Sequence, residues 1–110
     1  ILLDAEGGPN LVRNFCNAPF RANADYTAIT AQPSYYAIGH YSRFIRPGAR
    51  RIGWSAYTQN LDVTAAKNTD GTIAVVVHNR ADRALPVNLR FHGAIAKSTL
   101  PARAIATYVF

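Results

Sequence analysis

The sequence predicts a mainly β fold: a β-sandwich preceded by a loop-rich segment and one helix. Three observations predict it. Chain-breaking residues crowd the first 32 positions, with Gly7-Gly8-Pro9-Asn10 and Ala18-Pro19 among them. Apolar residues then recur at three- and four-residue spacing over residues 33–45. From about residue 50 the period becomes two, and short alternating runs are separated by turn residues.

In chain order, only Ile1 to Leu3 read as the end of a buried strand, and the irregular stretch after it is long for a compact domain. Such a stretch signals function, or support from elsewhere. Pro33 suits a first helical turn, where its missing N–H is harmless. Ala37, Ile38, Tyr41, Phe44 and Ile45 then form one stripe, Tyr35 and Tyr36 supply packing surface, and Pro47-Gly48 stops the helix. Gly39 inside it costs about 1 kcal/mol relative to alanine, which a close contact would explain. Ile52, Trp54 and Ala56 alternate as a first strand, with Trp54 in the core and Tyr57 at the rim. Val63 and Ala65 mark a second. Ile73 to Val77 is a continuous apolar run, which suits a strand covered on both faces. Leu85, Val87, Leu89 and Phe91 alternate with polar residues, and Pro86 places that strand at an edge or bulge. Ile105, Thr107 and Val109 give a last strand; Asp70-Gly71 and Asn79 to Arg83 supply turns.

Composition narrows the function classes. At 110 residues the chain suits one small domain, and 49% hydrophobic residues can fill a core. It begins at Ile1 and holds no methionine, so a start upstream is expected, through a removed leader or a cut polypeptide. Cys16 is the single cysteine, which rules out an internal disulfide. No apolar run reaches the roughly 18 residues a membrane span needs, so no transmembrane segment is expected. The net charge of +6 is densest at Arg43, Arg46, Arg50 and Arg51. Without a motif or interleaved stacking aromatics this reads as a solvated basic rim, and no nucleic-acid partner is expected.

Candidate chemistry is sparse. Asp4 and Glu6 stand two apart after a strand, yet Glu6 is the only glutamate and runs into Gly-Gly-Pro, which favours a loop-stabilising role. Cys16 could pair with His40, His78 or His92, but the reading as a small buried hydrophobe is simpler. The three histidines lack ligand spacing, so no metal and no cofactor is expected. Trp54 and Tyr57 could alternatively form a sugar-stacking platform.

One stretch is more specific than any spacing. Glu6-Gly-Gly-Pro-Asn10-Leu-Val-Arg-Asn14-Phe15 is followed by Ala18-Pro19 and by Gln32-Pro33-Ser-Tyr-Tyr36. Gly39-His40-Tyr-Ser-Arg-Phe44-Ile45-Arg-Pro-Gly48 comes next, and Leu100-Pro101 to Thr107-Tyr108 closes the chain. In order and spacing this resembles the C-terminal part of glycoside hydrolase family 30, in its glucosylceramidase-like branch. The resemblance implies a (β/α)8 barrel fused to a β-sandwich. Residues 1–48 would then be the end of the catalytic barrel, with its last strand, loop and helix, and residues 49–110 the C-terminal β-sandwich.

The resemblance also implies a retaining β-glycosidase whose two catalytic glutamates lie upstream of Ile1, so this chain holds no catalytic residue and is inactive alone. Asn14 matches an asparagine lining the sugar pocket, and Phe15 and Cys16 match its neighbours on the rim. Arg13 matches a loop arginine of structural role. Leu11 stands where the animal lysosomal members have tryptophan, and Asn17 where they have aspartate, which bears on the aglycone specificity. Related members act on β-1,6-glucan or xylan. Expected partners are a β-glycoside substrate through the parent enzyme, and either the upstream barrel or a second copy covering an open sheet edge, because family sandwiches borrow N-terminal strands. A secreted, periplasmic or lysosomal site is implied. The alternatives are a non-catalytic carbohydrate-binding sandwich and an interaction module that dimerises through its open edge.

Overall fold

The computed structural model describes residues 2, 3, 8 and 18–110. Two compact units divide at residues 39 and 40. The first carries a three-stranded sheet, β1 (Leu2–Leu3), β2 (Phe20–Ala22) and β3 (Ile29–Ala31), and most of helix α1 (Pro33–Ser42). β1 pairs parallel with β2, Leu2 opposite Phe20 and Leu3 opposite Arg21, and β2 pairs antiparallel with β3. Residues 18–32, read from sequence as loop, thus contain a hairpin. Gln32 N–H donates to Pro19 O at 2.8 Å, extending that hairpin to the helix start.

α1 starts at Pro33, as the sequence predicts, and ends three residues early, although Ile45 N–H still donates to Tyr41 O. Among the described residues the first part of the apolar stripe stays open, with Ile38 54% and Tyr41 41% exposed, while Phe44 and Ile45 are half-buried. The close contact expected at Gly39 is not made among the described residues, where an added Cβ would meet nothing within 4 Å. Tyr35 does pack, its ring tilted against Phe20 at 4.6 Å.

The second unit is the sandwich. One sheet runs β4 (Arg50–Arg51), β5 (Leu61–Lys67), β6 (Ile73–Asn79), β9 (Ile105–Val109). The other pairs β7 (Leu85–Phe91) with β8 (Ala94–Leu100). Ala65, Ile73, Val75 and Val77 of the first sheet meet Val87 and Leu100 of the second in one buried cluster. Because side chains alternate across a strand, Ala74 and Val76 face the opposite side, where they are equally buried at 0% and 1% exposure. β6 is therefore covered on both faces, which is why its run is continuously apolar. Each fully buried valine contributes about 1.5–3 kcal/mol, so β6 is the spine of this unit. On its second face His40 Nδ1 and Thr107 Oγ1 share a hydrogen bond at 2.8 Å, and Thr107 is the register partner of Val76.

Two expectations need correction. The strand over Ile52–Ala56 does not form: the ladder stops after Arg50, Arg51 and one bond from Ile52 N–H to Ala65 O. Trp54 is consequently 44% exposed, not core, and Tyr57 is fully exposed. β8 was not legible in the sequence, because its residues are mostly exposed and only Leu100 is buried. Pro86 lies opposite Thr99 in a two-stranded sheet, an edge position as expected. The β7–β8 turn is His92-Gly93, with φ of 46° and 86°, the two positive values that a type I′ hairpin needs.

Exposed turns carry carboxylates that favour the folded state at neutral pH. The Thr72 hydroxyl and N–H donate to Asp70 and hold its carboxyl below the ordinary value of 3.8. Asp82, bonded by Arg103 Nε at 2.6 Å, is lowered likewise. A depressed folded pKa gives stability that is present above the unfolded value and is lost as pH falls through the folded one. The melting temperature should therefore fall below about pH 4, and Asp70→Asn should flatten that acid limb; an unchanged limb would contradict this role.

Candidate functional site

The sequence-predicted site residues Asn14, Phe15 and Cys16 lie outside the described residues, as do Asp4 and Glu6. What the structure gives is the frame on either side of them. The connection carrying Asn14 leaves from Leu3, which is buried, and returns at Ala18, which has no exposure at all. Those two ends feed neighbouring parallel strands.

Beyond β2 the chain makes a six-residue turn, 23–28, whose bonds are almost all internal. Asn23 N–H donates to Ala28 O and Tyr26 N–H to Asn23 O. The Asn23 side chain accepts from Ala28 N–H at 2.9 Å and donates to Thr27 Oγ1 at 3.1 Å. Thr27 Oγ1 donates to Asp25 Oδ1 at 2.8 Å and keeps that carboxyl acidic. This scaffold holds Tyr26 at φ 57°, a left-handed conformation that costs a tyrosine about 1–2 kcal/mol. Sequence reading missed this turn; the signal available was Asn23 and Asp25, residues that bond their own backbone in turns.

In the second unit the polar side chains brace the fold. Asn79, fully buried, donates through Nδ2 to the carbonyls of Arg83, Leu100 and Pro101, and accepts from Ala81 N–H. Asn68 donates to Phe44 O and Thr72 Oγ1 and accepts from Arg46 N–H. His78 Nδ1 and Arg80 Nη1 both approach Asp62, at 3.3 and 3.7 Å. The basic rim is exposed at Arg43, Arg46, Arg50 and Arg51. Arg43 lies over the Phe44 ring at 5.6 Å. No group of three metal-ligating side chains occurs among the described residues, and no helix among them is long and apolar enough to cross a membrane.

Comparison with known proteins joins these two units. The glycosyl hydrolase family 30 β-sandwich domain matches residues 48–108, over the sandwich just described, and the family 30 TIM-barrel domain matches residues 1–45. The chain belongs to glycosyl hydrolase family 30. Lysosomal acid glucosylceramidase of Mus musculus is 37% identical over 81% of the chain, and putative glucosylceramidase 2 of Caenorhabditis elegans is 42% identical over 73%. The chain spans 18% and 16% of the length of those two relatives.

Among solved structures, SrfJ from Salmonella typhimurium superposes over 99% of the chain with a TM-score of 0.94 and 34% identity, on 24% of its own length. An endo-β1,6-glucanase superposes over 98% of the chain and 25% of its own, with a TM-score of 0.85 and 29% identity. This family 30 chain is thus mainly β: a β-sandwich preceded by a barrel-end segment and one helix, resembling the glucosylceramidases.

Proposed function

We propose that this chain is the C-terminal part of a retaining β-glycosidase of the glucosylceramidase type, acting on glucosylceramide or a related β-glucoside. Residues 1–48 form the end of the catalytic barrel, and residues 49–110 form the sandwich that braces it. The observation that carries this reading is the continuous match of one short chain to barrel segment and sandwich in family order. In such a barrel the loops after the strands build the active site, and β1 opens into the segment that bears Asn14, Phe15 and Cys16.

Retention needs two carboxyl groups about 5–5.5 Å apart, one attacking the anomeric carbon and one protonating the departing oxygen and later activating water. Both are assigned to glutamates upstream of Ile1, and Glu6 is assigned to the loop. Asn14 donates its amide to a hydroxyl of the bound sugar, with Phe15 and Cys16 as the adjoining rim. The likeness to the lysosomal acid glucosylceramidase of Mus musculus supports a lysosomal or secreted enzyme.

In the full-length polypeptide, Asn14→Ala removes one hydrogen bond to a neutral hydroxyl. The expected result is a fall in kcat/KM for an aryl β-glucoside of about three- to tenfold with an unchanged melting temperature. An unaltered kcat/KM would remove Asn14 from the pocket.

A further inference from the structure

The β5–β6 turn holds a reactive dipeptide. Asp70 is the one aspartate in the sequence that is followed by glycine, and no asparagine is. At such a step the glycine nitrogen can attack the aspartate side-chain carboxyl carbon, because glycine brings no Cβ to crowd the approach. The N–Cγ bond forms and the carboxyl C–OH bond breaks. The Gly71 amide proton leaves with that hydroxyl as water, and a five-membered succinimide remains. Water then adds back to either ring carbonyl. Addition at the main-chain carbonyl gives isoaspartate, an isomer whose backbone is longer by one methylene. The water lost in the first step is regained in the second, so no other co-reactant is needed.

The folded turn opposes both requirements of the first step. Thr72 donates to Asp70 Oδ1 twice, from its hydroxyl at 2.7 Å and from its N–H at 2.9 Å. Those bonds hold the carboxyl below its ordinary value of 3.8 and therefore ionised, and a carboxylate has no hydroxyl to lose. The attacking nitrogen is engaged as well, since Gly71 N–H donates to Asn68 O at 3.0 Å. Asn68 is fixed from outside the turn, through Phe44 O and Arg46 N–H. The chain also supplies its own comparison. Asp25 accepts from the Thr27 hydroxyl and N–H in the same pattern, yet Tyr26 follows it, and that side chain crowds the nitrogen.

We propose that Asp70-Gly71 is a latent site of spontaneous isomerisation, held unreactive in the folded chain by Thr72 and Asn68 and released when the β5–β6 turn opens. Its position gives the modification a large effect. The turn sets the pairing of Lys67 with Ile73, where β6 begins. Asn68 N–H to Thr72 O at 2.8 Å and Gly71 N–H to Asn68 O close it, and an added methylene between them breaks that closure. β6 is the strand covered on both faces, so the isomerised chain refolds to a less stable sandwich. Isoaspartate at residue 70 is thus a lasting record of time spent unfolded.

The test incubates the full-length polypeptide at about pH 6, above the ordinary carboxylate pKa, either folded or unfolded in urea. Isoaspartate is then quantified by peptide mapping with electron-transfer fragmentation, which distinguishes the two isomers. Wild type should isomerise at residue 70 about tenfold more slowly folded than in urea. Thr72→Val removes the hydroxyl at nearly constant shape and should accelerate the folded protein about three- to tenfold, while Thr72→Ser should match wild type. Residue 25 should stay unmodified throughout. Equal rates for wild type folded and in urea, no isoaspartate at residue 70 in urea, or a folded Thr72→Val at the wild-type rate would each overturn the proposal. Should Thr72→Val not fold, the wild-type comparison decides alone. Isoaspartate at residue 25 in urea as fast as at residue 70 would show that Gly71 does not set the site.

Discussion

Replacing Asn79 by alanine is expected to destabilise the sandwich by about 3–5 kcal/mol. The side chain is fully buried and its amide serves four backbone groups: the carbonyls of Arg83, Leu100 and Pro101 and the N–H of Ala81. Alanine leaves those groups without their side-chain partner, the Leu100 carbonyl in a buried setting and the other three part-buried, and each loss left unsatisfied costs about 1–3 kcal/mol. The amide also ties the end of β6 to the end of β8, so it joins the two sheets at one corner. Asn79→Asp is the informative companion. It preserves volume and can still accept from Ala81 N–H, but it turns an acceptor toward three carbonyl oxygens, and it should be at least as damaging as alanine. Urea unfolding gives the measurement: a lowered midpoint with unchanged slope reports lost stability alone. Wild-type stability in Asn79→Asp would mean that volume, not hydrogen bonding, is what the site requires.

The second large effect is expected at Asn68, which fastens the segment after α1 to the β5–β6 turn. Its amide donates to Phe44 O at 3.0 Å and its oxygen accepts from Arg46 N–H at 3.0 Å. The same side chain donates to Thr72 Oγ1 inside the turn. Asn68→Ala should cost about 2–3 kcal/mol and should expose Arg46 N–H to exchange. The predicted signature is local: amide exchange accelerates at residues 44–46 more than at residues 73–77 of β6. Uniform acceleration across both would mean that Asn68 stabilises the sheet globally and does not act as a joint.

The parts of the fold legible in the sequence are those where burial dictates residue type. β6 reads as a strand because both of its faces are covered, and β7 because Val87 points inward while Pro86 and Asn88 stay exposed. β8 escaped because Ala94 to Lys97 are all exposed, so solvent left no alternation to read. β2 and β3 escaped because three residues are too few to show a period. Ile52 to Ala56 misled for the opposite reason: the alternation is present, but β4 ends its pairing with β5 at Arg51 and Ala66, and a pattern without a ladder partner is not a strand. Trp54 followed the strand out of the core. For the candidate site, the block from Glu6 to Phe15 identified the family correctly, while the turn that presents Tyr26 needed three-dimensional pairing to be seen. The sequence places it only within the loop-rich first 32 residues.

Under the proposed function, residues 1–110 complete a retaining β-glycosidase whose acid/base and nucleophile lie elsewhere in the polypeptide. The most direct measurement follows the anomeric configuration of the first-formed sugar by proton NMR during hydrolysis of an aryl β-glucoside. The longer polypeptide is predicted to release the β-anomer first, and the 110-residue chain alone is predicted to release none. Turnover by the short chain, or the α-anomer as first product of the long one, would contradict the account.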